Sequence, residues 1–369
     1  MKFTIERADL LKSLGHVQSV VERRNTIPIL SNVRIDAGEG RLSLNATDMD
    51  LDIIDQVKAD VMTPGATTAP AHTLYDIVRK LPDGSQVEFN GDGQLTLSSG
   101  RSRFTLTCLP TDDFPVMSGG DLPNAFSLPA TELRDLIDRT RFAISTEETR
   151  YYLNGIYLHA AERDGVQVLR AVATDGHRLA SVEGALPSGA DGMPGVILPR
   201  KTVVELRKLI EETLDDVSVE LSETKVRFTF DGVTLTSKLI DGTFPDYERV
   251  IPSGNDKELV VNCKTFAEAV DRVSAISSEK SRAIKLALKT NVLVLSASSP
   301  DQGSAVEELE VDYNGDELEI GFNSRYLLDI THQIEGDSAR FTLADAASPT
   351  ILSETDDASA VYVLMPMRV

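Results

Sequence analysis

A weak self-similarity recurs along this chain at a spacing of roughly 125 residues, and a repeat of that length dictates the architecture before any single motif does. Each copy opens with a strand that leads into an amphipathic helix. Residues 3–5 precede a predicted helix over 8–22, residues 125–128 one over 130–142, and residues 258–261 one over 264–276. Each copy then repeats the pattern within itself. Residues 67–70 lead into 71–81, 195–199 into 201–212, and 318–322 into 324–334. Alternating strands follow these second helices, over 86–90, 94–98 and 103–109 in the first copy and over 217–221, 225–230 and 233–239 in the second. The alternation is clear in Ser218-Val219-Glu220-Leu221.

The helices carry apolar stripes, Leu10, Leu11, Leu14 and Val17 in the first and Leu133, Leu136 and Ile137 in the third. Such a stripe packs on a sheet and leaves the other face wet. Capping residues agree, with Asn323 or Ser324 before the last helix and Pro199 before the fourth. Boundaries fall at the Pro/Gly-rich segments 114–123 and 252–255. The expected fold is α+β in three similar domains, residues 1–122, 123–253 and 254–369, each with two helices packed on antiparallel sheets.

With 369 residues, two or three domains is also the natural division by length. The opening Met1-Lys2-Phe3-Thr4-Ile5-Glu6-Arg7 lacks the apolar run of a signal peptide, and no stretch approaches the ~20 apolar residues of a membrane span. Cys108 and Cys263 fall in different copies, in strand or strand-edge contexts. Two cysteines cannot make a disulfide scaffold, so a reduced cytoplasmic setting is expected.

A net charge of −21 opposes nucleic-acid binding unless the charge is segregated. It is: the six predicted helices sum to +3, which leaves −24 on everything else. A surface lined by those helices is far less negative than the remainder, as weak phosphate contact without base reading requires. Solvated helix faces of mixed charge would give the same count.

Motifs for chemistry are missing. There is no phosphate-binding loop of the Gly-x-x-x-x-Gly-Lys-Ser/Thr type, no Cys-x-x-Cys, no His-Glu-x-x-His and no Gly-x-Ser-x-Gly. Gly91-Asp92-Gly93 lacks a third glycine and a following helix. Ser277-Ser278-Glu279-Lys280 matches Ser-x-x-Lys without the partner motifs. An EF-hand loop begun at Asp48 would need glycine where Ile53 stands, so Met49, Leu51 and Ile53 are expected in the core with Asp48, Asp50 and Asp52 in water. Asp175 and His177 suit a turn better than acid–base work, and His16, His72, His159, His177 and His332 show no ligand spacing. No catalytic residue, metal or cofactor is expected.

Several segments, in order along nearly the whole chain, resemble one family. They are Pro28-Ile29-Leu30, Gly100-Arg101-Ser102-Arg103-Phe104, Arg150-Tyr151-Tyr152-Leu153-Asn154-Gly155, Thr174-Asp175-Gly176-His177-Arg178-Leu179, Thr236-Ser237-Lys238-Leu239, Thr243-Phe244-Pro245-Asp246-Tyr247 and the closing Met365-Pro366-Met367-Arg368-Val369. On these the chain is similar to the bacterial sliding clamps, the β subunits of DNA polymerase III. The resemblance implies the DNA clamp fold, with three domains per chain and a head-to-tail homodimeric ring whose helices line the central hole. It implies a non-catalytic processivity factor that encircles duplex DNA without sequence preference. The implied partners are a clamp loader, the replicative DNA polymerase alpha subunit, repair polymerases, ligase and mismatch-repair factors, with no membrane. The implied location is cytoplasmic, on the nucleoid during replication.

Residue by residue, the resemblance places a partner-peptide cleft at Tyr152, Leu153, Thr174, Gly176, His177, Arg178, Leu179, Pro245, Arg249 and Val250, completed by Tyr326, Val363, Met365, Pro366, Met367 and Arg368. Leu, Val, Pro and Met suit an adaptable pocket for Leu/Phe anchors. Ala347 and Pro349 stand where valine and serine are usual, which reshapes one subpocket. DNA contacts are implied at Arg24, Arg150, Tyr152, Arg200 and Lys201. The dimer contact is implied at Arg101, Arg103 and Phe104 on one side and Ala275, Ile276 and Glu307 on the other, with Gly303, Ser304 and Val306 thinning the usual acidic patch. A competing reading, an acidic protein–protein scaffold, would use the same cleft without encircling DNA.

Overall fold

The computed structural model describes residues 1–92, 94–117, 120–278 and 282–369. Gly93, Ser118-Gly119 of the first predicted boundary and Glu279-Lys280 of the Ser-x-x-Lys match lie outside the described residues. The chain packs into two compact units. One comprises Met1–Arg134, Pro187–Pro194 and Lys201–Leu239, and the other Asp135–Leu186, Gly195–Arg200 and Ile240–Val369.

The first unit holds two antiparallel sheets. Five strands run in the order β5 (Asp60–Thr63), β1 (Lys2–Glu6), β7 (Gln86–Asp92), β8 (Gln94–Ser99) and β9 (Ser102–Leu106), so β9 is an edge. Eight run in the order β10 (Asn124–Pro129), β15 (Asp216–Leu221), β16 (Lys225–Phe230), β17 (Val233–Lys238), β4 (Leu51–Lys58), β3 (Arg41–Thr47), β2 (Asn32–Gly38) and β6 (Gly65–Pro70). β16 and β17 form a hairpin closed by Asp231-Gly232, the dipeptide such two-residue loops favour. The join between the first and second sequence copies is a strand pair, β17 against β4, with Leu235 opposite Ile53.

The second unit also holds two antiparallel sheets. Nine strands run in the order β14 (Val196–Pro199), β11 (Gly155–Arg163), β12 (Val166–Thr174), β13 (Arg178–Ala185), β26 (Ala360–Leu364), β25 (Thr350–Glu354), β24 (Ser338–Leu343), β18 (Lys257–Asn262) and β22 (Asp312–Tyr313). Four run in the order β21 (Gly303–Glu310), β20 (Val292–Ser299), β19 (Ala283–Lys289) and β23 (Leu318–Asn323), with β21 an edge. Here the second and third copies meet at β13 against β26, with Leu179 opposite Val363.

All six predicted helices form: α1 (Arg7–Gln18), α2 (Ala71–Lys80), α3 (Ala130–Asp138), α4 (Arg200–Leu209), α5 (Cys263–Ser274) and α6 (Ser324–Thr331). α1 packs on α2, burying Leu10, Leu14 and Val17 against a face carrying Leu74 and Val78. α5 packs on α6, and both start at asparagine caps: Asn262 accepts from the Thr265 amide and Asn323 from the Arg325 amide. Several helices stop short of their predicted ends. In α3 the Thr140 hydroxyl donates back to the Leu136 carbonyl at 2.6 Å, and a 3₁₀ turn over Arg141–Ala143 replaces the last helical turn. The shorter ends leave the helical total at +3 but concentrate it, because α4 keeps Arg200, Lys201, Arg207 and Lys208 against Glu205 alone.

One expectation fails. Met49 is 48% exposed with φ +78°, the left-handed corner of a turn in which the Asp48 carboxylate accepts from the Asp50 and Leu51 amides. Leu51 and Ile53 are buried as expected, but so is Asp52, at 5% exposure. Alternation tells which residues share a face of a strand; it does not tell whether the second face is covered. Cys263 is the first residue of α5, directly after β18, and both cysteines are free.

Candidate partner-peptide cleft

The β13–β26 join builds the candidate site. Thr174 ends β12, and the chain turns through Asp175-Gly176-His177 before Arg178 starts β13. The turn is tied by side chains: Asp175 Oδ1 accepts from the His177 and Arg178 amides, and Thr174 Oγ1 donates to the Arg178 carbonyl at 2.7 Å. Gly176 adopts φ +87°, and a Cβ there would lie 2.5 Å from Arg150 Nη1. Asp175 and His177 are therefore turn residues, as the sequence suggested.

Under the turn lies an apolar cluster of Leu153, Val172, Leu179, Ile197, Phe244, Tyr247 and Val363, with Tyr152 packed against it. Phe244 and Tyr247 come from the Thr243–Tyr247 motif, whose Pro245 is exposed. Val250 and Met365, on the segments that carry Tyr247 and Val363, remain 44% and 38% exposed. Arg249 is exposed on the same segment and paired with Asp246 at 2.6 Å.

Arg178 is the electrostatic centre. Although buried, it is fully engaged: Nε donates to Asp175 at 3.2 Å, Nη1 to Asp329, and Nη2 to the Phe142 carbonyl at 2.6 Å. Its guanidinium also lies 4.3 Å from the Tyr326 ring centroid and 5.1 Å from that of Phe142. Burial pushes the Tyr326 hydroxyl pKa up. His177 stacks on Tyr326 at 6.4 Å, and its carbonyl accepts from the Met365 amide at 2.9 Å. Met367 donates to the Gly321 carbonyl at 2.8 Å, which holds the Met365–Arg368 tail against β23. These bonds gather Tyr152, Leu153, Thr174–Leu179, Tyr326, Val363 and the tail into one neighbourhood of the second unit. Its chemistry is a buried apolar cluster beside fixed hydrogen-bonding groups, the side-chain types that peptide capture uses.

Sequence reading missed Phe142 and Asp329, which hold Arg178 from two other elements. Asp329 follows Tyr326 by three residues, on the same face of α6, and that spacing was the available signal.

The implied DNA residues are divided. Arg24 and Arg200 are exposed. Arg150 bonds Glu147 and the Asp175 carbonyl. Lys201 is already held by Asp48 and Glu22. On the implied dimer surfaces, Arg101 and Arg103 are exposed and Phe104 half-buried at the β9 edge. Ala275 and Ile276 follow α5, and Glu307 on the β21 edge is bonded bidentately by Arg272 at 2.6 and 3.1 Å.

Catalytic arrangements find no support in a hollow of the first unit, about 600 Å³. There His16 meets Asp55 at 2.7 Å, but the nearby Ser13 hydroxyl has no hydrogen-bond partner among the described residues. Among the described residues no group of three or more His, Cys, Asp or Glu is placed to hold a metal.

Comparison with known proteins agrees over the full length. Sequence models of the DNA polymerase III beta subunit match in three parts: the N-terminal domain over 1–118, the central domain over 127–246 and the C-terminal domain over 248–368. The beta sliding clamps of Caulobacter vibrioides and Escherichia coli K12 are 57% and 39% identical, each over 100% of both chains. The crystal structure of a Bartonella birtlesii DnaN sliding clamp bound to griselimycin superposes with a TM-score of 0.98 at 54% identity, covering 100% of both chains. The griselimycin-bound clamp of Pseudomonas aeruginosa gives 0.96 at 42%, again over 100% of both. The chain belongs to the DNA polymerase III beta subunit family, the bacterial sliding clamps.

Proposed function

We propose that this chain is a replication sliding clamp, a processivity factor that performs no catalysis. Two copies join head to tail into a ring around duplex DNA, each contributing three domains, 1–122, 123–253 and 254–369. Full-length membership of the family and the +3 helices within a chain of net charge −21 support this reading. Exposed Arg24 and Arg200 are the foremost phosphate contacts, with Arg150, Tyr152 and Lys201 secondary because their side chains are already engaged. The ring closes between the Arg101–Arg103–Phe104 edge and the Ala275–Ile276–Glu307 surface.

The cleft carries the tethering function. Its apolar cluster with exposed Val250 and Met365 beside the anchored Arg178 is the observation that supports it best. The polymerase alpha subunit, repair polymerases, ligase, mismatch-repair factors and the clamp loader reach it through short peptides. Action is cytoplasmic, on the nucleoid; among the described residues no helix is long and apolar enough to cross a membrane.

The test is retention on nicked circular DNA, loaded with the cognate clamp loader and ATP, before and after the circle is cut. Retention on circles with loss from cut ends is expected of topological binding. Equal release from both forms would favour the scaffold that never encircles DNA.

A further inference from the structure

We infer that His159 and Arg170 are positioning residues for the peptide cleft: through the Tyr247 hydroxyl they fix the segment that carries Pro245, Arg249 and Val250. Neither belongs to the residues that would touch a peptide. This inference rests on the peptide-cleft reading above and names what holds one of its walls.

Strand register builds the support. His159 on β11 stands opposite Arg170 on β12, and Arg170 opposite Glu183 on β13, so the three form one crosswise row. Two residues along each strand, Tyr157, Val172 and Ser181 form the next row on the same face. Val172 belongs to the apolar cluster of the cleft, and Tyr157 packs against that cluster. A polar row therefore lies directly beside it.

Residues 243–250 reach both rows. All are exposed except Phe244 and Tyr247. Among the described residues no backbone hydrogen bond ties 243–250 to a strand. The segment's place thus depends on its two buried rings. Phe244 stacks on Tyr157, with centroids 4.9 Å apart and planes at 8°. Tyr247 adds direction. Its hydroxyl oxygen accepts from Arg170 Nη1 at 2.8 Å and lies 2.9 Å from His159 Nε2. The other ring nitrogen, Nδ1, lies 2.9 Å from the Ala160 carbonyl, which can only accept, so Nδ1 carries the proton. In the neutral imidazole Nε2 then accepts, and the Tyr247 hydroxyl donates to it. Arg170 Nη1 also donates to Glu248 at 2.6 Å, while Nε donates to Glu183 at 2.8 Å. Tyr247–Val250 is one 3₁₀ turn, so holding Tyr247 and Glu248 holds Arg249 and Val250 with them.

Protonation of His159 undoes this chain of donors. Nε2 becomes a donor, the Tyr247 proton loses its acceptor, and a second cation stands beside Arg170. The charged and titratable groups around the ring are Arg170 on β12, Tyr247 and Glu248 on the turn, and Tyr157, stacked on it at 4.6 Å, with Glu183 behind Arg170. Burial pushes the imidazole pKa below its ordinary value; the Ala160 carbonyl and the Glu248 charge oppose the fall and the Arg170 charge adds to it. The chain of donors is therefore intact at neutral pH and fails in acid.

The experiment measures binding of a capped Leu-Phe anchor peptide, free of ionisable side chains, to the full-length protein by fluorescence anisotropy from about pH 7.5 to about pH 5. Tyr247→Phe, which keeps the ring, and His159→Leu should each weaken binding about five-fold at neutral pH. His159→Gln, whose carboxamide oxygen accepts the same proton, should recover most of that loss. The unaltered protein should lose affinity towards acid and His159→Gln should lose less; a titrating His177 would act equally in both. Denaturation midpoints and light scattering check that each variant is folded and keeps its mass. If the anchor binds and both Tyr247→Phe and His159→Leu match the unaltered protein, the positioning role is overturned and the cleft stands. If His159→Gln binds as poorly as His159→Leu, or follows the unaltered protein through acid, His159 only packs there and the inference falls. If the anchor does not bind the unaltered protein, the cleft reading falls and the inference with it.

Discussion

The Arg178 guanidinium stands 4.3 Å from the centre of the Tyr326 ring, and this contact joins the turn before β13 to helix α6. Asp329, one helical turn on, completes the grip through an ion pair to the same guanidinium. The arginine is thus a post between the turn and α6, in the wall of the proposed cleft.

Arg178→Ala strips that post from a site where it is 8% exposed and leaves Asp329 without its buried partner. A loss of about 3 kcal/mol in folding stability is expected, read by chemical denaturation. Tyr326→Phe keeps the ring over the guanidinium and should leave anchor-peptide affinity near normal. Tyr326→Ala removes the ring and should weaken it about ten-fold. Equal affinity for both Tyr326 variants would show that the ring does not support the wall.

Asp52 gives a pH dependence with a definite sign. Burial raises its pKa from 3.8 to about 6; the Asn45 hydrogen bond opposes the rise and the Asp48 charge adds to it. A folded-state pKa above the unfolded one contributes stability that is complete below pH 4 and disappears as pH rises through 6. At pH 8 the ionised carboxylate is a burden, so Asp52→Asn should stabilise the fold by about 2 kcal/mol there. The advantage should shrink between pH 6 and pH 4. Denaturation midpoints across that range check it, and an advantage independent of pH would assign the effect to packing.

Gly155→Ala tests the strand pairing next to Leu153 of the proposed cleft. A Cβ at Gly155 would lie 2.1 Å from the Leu198 carbonyl oxygen, inside the β11–β14 pairing that starts two residues after Leu153. Backbone cannot yield as a side chain tip can, so a loss of about 3 kcal/mol or more is expected. Gly254→Ala, with nothing within 4 Å of its added methyl, is the control and should leave the thermal midpoint unchanged.

The same glycine shows how far the sequence could be read. Asn154-Gly155 stood in a segment shared with a known family, but its steric reason is the Leu198 carbonyl, a residue far along the chain. Six helices were legible because each apolar stripe needs only its own sequence. Asp52 was misplaced because burial of a strand's second face depends on what covers it. Arg178 and Tyr326 were reached through the resemblance, whereas Phe142 and Asp329 were not, since their role exists only once β13 and α6 meet. The pairing of Glu307 with Arg272 was equally hidden, being a contact between an edge strand and a helix.

That pairing bears on the proposed contact between two copies. β9 and β21 are both edge strands, and an edge left open is a template for another chain. β9 offers Arg101, Arg103 and the half-buried Phe104; the surface near β21 offers Ala275, Ile276 and Glu307. The Arg272 hydrogen bond holds the Glu307 carboxyl below its usual pKa, which favours the carboxylate form that a facing arginine would meet. Phe104→Asp combined with Ile276→Asp places carboxylates in the apolar centre of that contact and should yield single chains by light scattering. The unaltered protein should be dimeric at low salt and dissociate more readily as salt rises, because exposed arginine–carboxylate attraction is screened beyond ~10 Å at 0.1 M. A dimer mass that persists in the double variant would mean that the copies join through another surface.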